Sequence, residues 1–208
     1  MIHLSGYKAL EEIYLGRNSI ILRGIRDSDN TPVVIKLLNR EYPSQRELSG
    51  FIREYEIMDR ITGDGIIKAY AIEKYKNSLA IIMEDIGGES ADRVLQSLKP
   101  GVAEKLSLAI QMTDSLIQLH QKNIIHKDVN PTNFIWNYKT NQVKLIDFGI
   151  SAKYLREASQ HINLNILEGS LDYLSPEQTG RINRPVDYRT DLYSLGITLY
   201  EVFTGQLP

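Results

Sequence analysis

The hydrophobic pattern changes from a period of two residues to a helical period of about 3.6 at Ile86–Gly88, and this change limits the fold more than any other feature. Before it, short β-rich runs alternate with polar turns; SIILRGI and PVVIKLL, for example, flank the turn RDSDNT. Residues 7–85 are therefore predicted to form a five-stranded antiparallel sheet that carries one helix. The whole chain is predicted to be α+β, with a sheet-rich first lobe, residues 1–85, and a mainly helical second lobe, residues 86–208.

Three segments have the spacing of apolar residues that is typical of amphipathic helices. Residues 43–61 begin with Pro43 and Ser44, which together are a helix start signal. Residues 190–205 form a second, more apolar helical segment. Residues 102–122 are predicted to form a long helix with one apolar side, made of Leu106, Ala109, Ile110, Thr113, Leu116, Ile117 and His120.

Composition excludes several classes of protein. A formal net charge of −2 gives no electrostatic reason to expect nucleic acid or an anionic membrane as a partner. The chain has no cysteine, so structural disulfides and thiolate metal sites are excluded and a reducing compartment is favoured. The N-terminal residues lack the pattern of a secretory signal, and no apolar run approaches the ~18 residues of a membrane span. We therefore expect a cytoplasmic protein.

Four polar residues occur in an order that suits phosphoryl transfer. Lys36 ends the run VVIK, Asp128 and Asn133 lie in the segment HKDVNPTN, and Asp147 begins DFG, 19 residues after Asp128. Two short predicted strands fit between the last two segments, so both loops can converge on one metal ion. Transfer from ATP needs a cation for the phosphates, oxygen ligands for Mg²⁺ and a carboxylate that orients the attacking hydroxyl. The sequence offers a residue for each of these roles.

The motifs VVIK, HKDVNPTN, DFG and SPE, in this order and spacing, resemble those of eukaryotic-type serine/threonine protein kinases. The resemblance covers nearly the whole chain and implies a two-lobed kinase fold that uses ATP and Mg²⁺. It implies that Lys36 binds the α- and β-phosphates and pairs with Glu54. It also implies that Asp128 is the catalytic base, and that Asn133 and Asp147 hold Mg²⁺.

Two glutamates compete for the pairing with Lys36. Glu54 stands three residues before Ile57 and four before Met58, which is the family spacing, whereas Glu56 does not. Residues two apart on a helix point in different directions, so only one of them can face Lys36. We expect Glu54.

The resemblance also implies a set of residues that contact the nucleotide. Met83 would be the gatekeeper, the backbones of Glu84 and Ile86 would meet the adenine edge, and Val34 and Ile135 would enclose its ring. Gly16 would belong to the loop that covers the phosphates.

Three departures from the family pattern bear on activity. The segment LGRNSIILRG contains Gly16 but not the full pattern G-x-G-x-x-G, and it is about two residues short. Asn130 stands where the family carries a lysine that reaches the γ-phosphate. If Asn130 replaces that cation, the lost contact would lower the rate by about 10²–10³-fold. Lys127 replaces the more familiar arginine before Asp128, which keeps the charge but loses the bidentate fork.

The last 42 residues and the run NTPVVIKLLNREYPS resemble the N-terminal kinase domain of very large bacterial signalling proteins. In those proteins an ATPase-type module, a GAF sensor domain and a histidine kinase follow in the same chain. The resemblance therefore implies that this chain is truncated within the second lobe, after its central helix.

Three functions stay open from the sequence. The first is an active serine/threonine kinase of proteins. The second is a pseudokinase or nucleotide-binding module that regulates a downstream signalling domain, which the altered glycine loop and Asn130 would favour. The third, a small-molecule phosphotransferase, is disfavoured because such enzymes lack the segment that ends in SPE.

Overall fold

The computed structural model describes residues 4–16, 18–61, 63–149, 151–153, 170–182 and 184–208. The chain divides into two compact units. The first contains the described residues of Met1–Thr62 and of Ile67–Gly87; the second contains Gly63–Ile66 and the described residues of Gly88–Pro208.

The first unit is built on a five-stranded antiparallel sheet, which confirms the predicted architecture. Its strands are β1 (Tyr7–Leu15), β2 (Ser19–Arg26), β3 (Pro32–Leu38), β4 (Ala69–Tyr75) and β5 (Ser78–Glu84). They lie in the order β1-β2-β3-β5-β4, so β3 is the central strand. The predicted hairpin between β2 and β3 is present, and Asp29 closes its turn by binding Arg26 and by accepting the Thr31 amide at 3.1 Å.

Alternation along β3 separates the two faces of this sheet. Val33, Ile35 and Leu37 are fully buried in a cluster with apolar residues of β2 and β5. Successive side chains of a strand point to opposite faces, so Val34 and Lys36 lie on the other face. The sequence run VVIKLL thus builds the core with one set of residues and leaves the second set for a site.

The helix described in this unit, α1 (Gln45–Arg60), begins where the sequence predicts. Ser44 is the N-cap and forms a capping box with Glu47: the Ser44 Oγ accepts from the Glu47 amide at 3.3 Å, and Glu47 accepts from the Ser44 amide at 2.8 Å. A capping box satisfies two backbone donors that the helix start would otherwise leave unpaired. It fixes the start of α1, and Glu54 and Met58 are among the buried residues of this helix.

The second unit is mainly helical, as predicted. Its helices are α2 (Ala91–Leu98), α3 (Val102–Gln121) and α4 (Arg189–Thr204). Its short strands are β6 (Glu89–Ser90), β7 (Ile124–Ile125), β8 (Phe134–Asn137), β9 (Gln142–Leu145) and β10 (Ala152–Lys153). They form a three-stranded sheet, β6-β8-β9, and the pair β7-β10. Within the described ranges, no helix has the length and apolar character needed to cross a bilayer.

The predicted inner side of α3 is partly wrong. The buried residues of this helix are Leu108, Ala109, Met112, Ser115, Leu116 and Leu119, whereas Leu106, Ile110 and Ile117 are exposed. Apolar residues occur almost all round this helix, so its periodicity fits two overlapping faces. Packing against β9, β7 and α4 selects the face centred on Leu108 and Met112.

Exposed apolar residues on α3 and α4 form an outer patch of the second unit. A concave region of about 260 Å³ lies there, lined by Leu106, Ala109, Ile110, Thr113, Asp114 and Phe203. Tyr200 of α4 is also exposed.

Two leucines of α3 separate the predicted face from the observed one. Leu108 is 0% exposed and Leu106 is 50% exposed. We expect Leu108→Ala to lower the free energy of unfolding by ~2–5 kcal/mol, because it leaves a cavity in a packed core. We expect the same substitution at Leu106 to lower it by less than about 1 kcal/mol.

Urea denaturation of the two variants measures this difference directly, since both remove the same atoms from the same helix. A larger loss for Leu106→Ala than for Leu108→Ala would contradict the observed packing.

Candidate active site

A buried ion pair ties the central strand of the first unit to its helix. Lys36 Nζ lies 2.5 Å from Glu54 Oε1, and the two side chains are 12% and 4% exposed. Buried charges need a close partner, because desolvation of an unpaired charge is very unfavourable. Of the two candidate glutamates, Glu54 therefore contacts Lys36; Glu56 is exposed and lies 3.9 Å from Arg60.

The predicted adenine-contacting residues of the first unit are adjacent in its sheet. Val34 of β3 pairs in register with Met83 of β5, and Val34 lies on the same face as Lys36. Glu84 is held at the end of β5, where its amide donates to Lys68 O at 3.0 Å and its carboxylate accepts the Lys68 amide at 2.6 Å. Ile86 follows two residues later and is half-buried.

A second ion pair in this unit was not predicted from the sequence. Arg23 Nε lies 2.6 Å from Asp85 Oδ2, and the Gly87 amide donates to Asp85 Oδ1 at 2.8 Å. These bonds order the segment that contains Glu84 and Ile86. Only the strand register, with Arg23 opposite Val34 and Val34 opposite Met83, brings residues 23 and 85 together.

The connection between β1 and β2 is short and tightly hydrogen-bonded. The Gly16 amide donates to Ser19 O at 2.9 Å, which closes the turn. Asn39, just after β3, donates from its side chain to Gly16 O at 2.8 Å and from its amide to Asn18 O at 2.9 Å. Asn39 therefore fixes the loop that the resemblance assigns to the phosphates, and sequence reasoning missed it.

In the second unit, hydrogen bonds orient the carboxylate of Asp128. Its Oδ1 accepts from the Ser170 amide at 2.8 Å and from Asn130 Nδ2 at 3.0 Å. Its Oδ2 accepts from Asn133 Nδ2 at 3.0 Å. Three donors on a half-buried carboxylate fix the directions of its oxygens, so Asp128 is held as an acceptor in one orientation.

Backbone bonds join the Asp128 loop to the Asp147 loop. The Ile146 amide donates to Asn133 O at 2.9 Å, and His126 Nε2 lies 3.0 Å from Ile146 O. The His126 ring also packs edge-on against Phe148, with ring centroids 5.2 Å apart. The structure thus brings together the two loops whose spacing predicts convergence.

The donor set beside these loops fits a hard cation. Asn133 Nδ2 bonds to Asp128 O and Oδ2, and Asn133 Oδ1 accepts no hydrogen bond from a described residue. Asp147 is exposed, and its φ of 61° is a left-handed conformation. The Gly149 amide donates to Asp147 Oδ1 at 3.3 Å, and this local bond stabilises that conformation.

In the ranges described, no cluster of three or more histidine, cysteine or acidic residues could hold a metal ion. Mg²⁺ keeps several waters and binds through one or two carboxylates plus phosphate oxygens, so one amide and one carboxylate oxygen suit it.

Asp191 lies beneath the loop that carries Asp128. Its fully buried carboxylate accepts from the His126 amide at 2.9 Å and from the Lys127 amide at 2.8 Å. His120 Nε2 lies 2.8 Å from the same carboxylate. Lys127 has a φ of 72°, a strained conformation for a residue with a side chain, and the bond to Asp191 helps to hold it.

The remaining predicted residues of this unit have clear positions. Ile135 is half-buried in β8, opposite Lys144 of β9. Asn130 is buried directly beside Asp128, and Ser170 begins the segment that ends in SPE. That segment packs on α4, where Ser194 Oγ donates to Tyr173 O at 2.7 Å and Thr190 Oγ1 donates to Glu177 at 2.8 Å.

Comparison with known proteins finds similarity over nearly the whole chain. Residues 7–208 match the family described as "Protein kinase domain". The chain is 34% identical over 204 residues to a "Probable serine/threonine-protein kinase" of Clostridium acetobutylicum; the match covers 97% of this chain and 30% of that protein. It is 30% identical over 209 residues to the serine/threonine-protein kinase pkn2 of Myxococcus xanthus, with 98% and 24% covered.

It is also 28% identical over 212 residues to the serine/threonine-protein kinase PrkC of Bacillus subtilis, with 100% and 30% covered. The chain thus spans between 24% and 30% of the length of these three relatives.

The role of Asp191 as a support can be measured by its removal. We expect Asp191→Ala to lower the free energy of unfolding by about 2–5 kcal/mol, because it leaves two backbone amides without an acceptor under the loop. Asp114→Ala is the matched control, since Asp114 is an exposed aspartate of α3. Chemical denaturation measures both, and equal stability of the two variants would contradict the assigned role.

Proposed function

Because the chain belongs to the family of protein kinase domains, we propose that it transfers the γ-phosphate of Mg-ATP to a serine or threonine hydroxyl of a protein. The observation that carries this proposal is the orientation of the Asp128 carboxylate by three hydrogen-bond donors. A carboxylate fixed in this way can accept a hydrogen bond from an attacking hydroxyl and take its proton.

The other polar residues have roles that follow from their chemistry. Lys36, held by Glu54, supplies a positive charge for the α- and β-phosphates. Asn133 and Asp147 supply the oxygens for Mg²⁺, which would offset charge on the phosphate oxygens. These residues contribute position and electrostatics, because phosphoryl transfer needs little covalent chemistry from the protein.

The proposed nucleotide contacts are mostly apolar or backbone groups. Val34 and Ile135 would enclose the adenine ring, Met83 would limit the depth of its pocket, and the backbones of Glu84 and Ile86 would bind its edge. The ion pair of Arg23 with Asp85 supports this assignment, since it orders the backbone on both sides of Asp85. Gly16 would lie near the phosphates.

A protein substrate is supported by the segment from Ser170 to Glu177. This segment packs on α4 and bonds to Asp128 at its start, so it can present a polypeptide to that carboxylate. The names of the bacterial relatives also describe serine/threonine-protein kinases. We place the activity in bacterial signal transduction in the cytoplasm, with downstream signalling domains of the same chain as partners.

A regulatory module without transfer activity is the second candidate. The tight β1–β2 turn favours it, because Asn39 fixes a loop that is already short for covering phosphates. In this case the domain would bind nucleotide, or only other domains, and would control a downstream signalling activity.

Transfer of labelled phosphate from Mg-[γ-³²P]ATP to a mixed serine and threonine peptide library separates the candidates. We expect Asp128→Asn to lower transfer by about 10²–10⁴-fold, because it removes the base. Lys36→Met should also abolish most transfer, since it removes the positive charge that would bind the phosphates and the ammonium group that contacts Glu54.

Asp114→Asn is the control for an aspartate outside the site, and its activity should stay within about twofold of the wild type. Transfer that survives Asp128→Asn unchanged would exclude the proposed chemistry. Binding of ATP by the folded wild type without any transfer would establish the regulatory module instead.

A further inference from the structure

Asn130 is 1% exposed and precedes the 3₁₀ turn Pro131–Asn133. Its side-chain oxygen accepts from the Thr132 amide at 2.9 Å and from Thr132 Oγ1 at 2.5 Å. The oxygen of Asn130 is therefore the cap of this turn, which carries Asn133 into position.

The side-chain nitrogen of Asn130 points to Asp128 and Ser170. It lies 3.0 Å from Asp128 Oδ1, 3.2 Å from Asp128 O and 3.2 Å from Ser170 Oγ. The Ser170 amide donates to the same Asp128 Oδ1 at 2.8 Å. Asp128, Asn130 and Ser170 thus form a closed ring of hydrogen bonds, which we call the catalytic ring.

Only a carboxamide meets all of these demands. A lysine at this position has donors but no acceptor, so the Thr132 amide would lose its partner. An aspartate has acceptors but no donor when ionised, so it would keep the turn and repel Asp128. Both faces of the Asn130 amide are used inside the second unit, and the residue is too buried to act as a surface donor.

We propose that Asn130 is a positioning residue that orients Asp128 and makes this orientation depend on Ser170. It does not stand in for a cation at the γ-phosphate. This inference rests on the proposed kinase activity and differs from the sequence-based expectation, in which Asn130 lowers the rate because it replaces a cation at the γ-phosphate. In this chain, the Asp128 carboxylate is held by the neutral amide of Asn130. This arrangement also requires the segment from Ser170 to Glu177, here called the SPE segment, to be in place.

The same helix supports all members of the catalytic ring. Thr198 Oγ1 of α4 donates to Val129 O at 3.2 Å, next to both Asp128 and Asn130. Ser194 of α4 donates to Tyr173 O, three residues after Ser170. Displacement of the SPE segment would remove one donor that orients Asp128, the Ser170 amide, and would also remove the Ser170 hydroxyl that accepts from Asn130.

Two substitutions at position 130 separate positioning from capping. Asn130→Asp keeps the acceptor for Thr132 and loses the donor for Asp128; Asn130→Lys does the reverse. We expect both to lower kcat by at least about tenfold, while the KM for ATP changes by less than about threefold. A role in capping alone would leave Asn130→Asp near wild type.

Asn137 is the matched control, because its Oδ1 caps the β8–β9 turn by accepting from the Lys139 amide at 3.0 Å and the Thr140 amide at 3.1 Å. We expect Asn137→Asp to keep kcat within about twofold of the wild type.

A double-mutant cycle tests the link to Ser170. We expect Ser170→Ala to lower kcat. Ser170→Thr should lower it less, because threonine keeps the hydroxyl. The loss of kcat in the double variant of Asn130→Asp with Ser170→Ala should be smaller than the product of the two single losses. Independent residues would instead give the product of the single effects.

A gain in kcat for Asn130→Lys, or a wild-type kcat for Asn130→Asp, would overturn the positioning role. Absence of transfer in the wild type would overturn the proposed function and not the ring. In that case the same cycle still tests the ring when the unfolding equilibrium constant of each variant is measured. We expect a coupling of at least about fivefold between positions 130 and 170, and independent single effects would overturn the ring.

Discussion

The loop that carries Asp128 depends on one buried carboxylate. Asp191 accepts the backbone amides of His126 and Lys127, and neither bond requires a particular side chain in the loop. Lys127 can therefore replace a more familiar arginine without moving the backbone. Its φ of 72° is left-handed, which is uncommon for a residue with a side chain. A strained backbone of this kind persists where its surroundings fix it.

Bonds from the loop reach the rest of the second unit in two directions. His126 and Asn133 bond to the backbone at Ile146, so the Asp147 loop takes its position from the Asp128 loop. Asn130 and Asp128 bond to Ser170, so the SPE segment does the same. The candidate metal ligands and the candidate base therefore share one support, and a change in α4 affects all of them together.

Local patterns predicted the elements and several contacts of the first unit. Helix geometry allows only one of Glu54 and Glu56 to face Lys36, and the family spacing before Ile57 and Met58 selected Glu54, which contacts Lys36 in the structure. The elements follow from short-range periodicity, which the sequence contains directly, whereas the choice of Glu54 also needed the family resemblance. The inner face of α3 could not be predicted in the same way, because apolar residues occur almost all round the helix. There, long-range packing decides which side is buried.

The role of Asn130 shows why a family pattern alone can mislead about chemistry. Compared with a lysine, an asparagine lacks a charge, and the sequence suggests a weakened site. The partners of its amide, however, lie 2 residues and 40 residues away along the chain, and only the fold brings Ser170 to it. A neutral amide that donates and accepts can hold a carboxylate without placing a competing charge beside it. On the proposed role, Asn130 orders the loop that carries Asp128, so the lack of a cation does not by itself imply an inactive site.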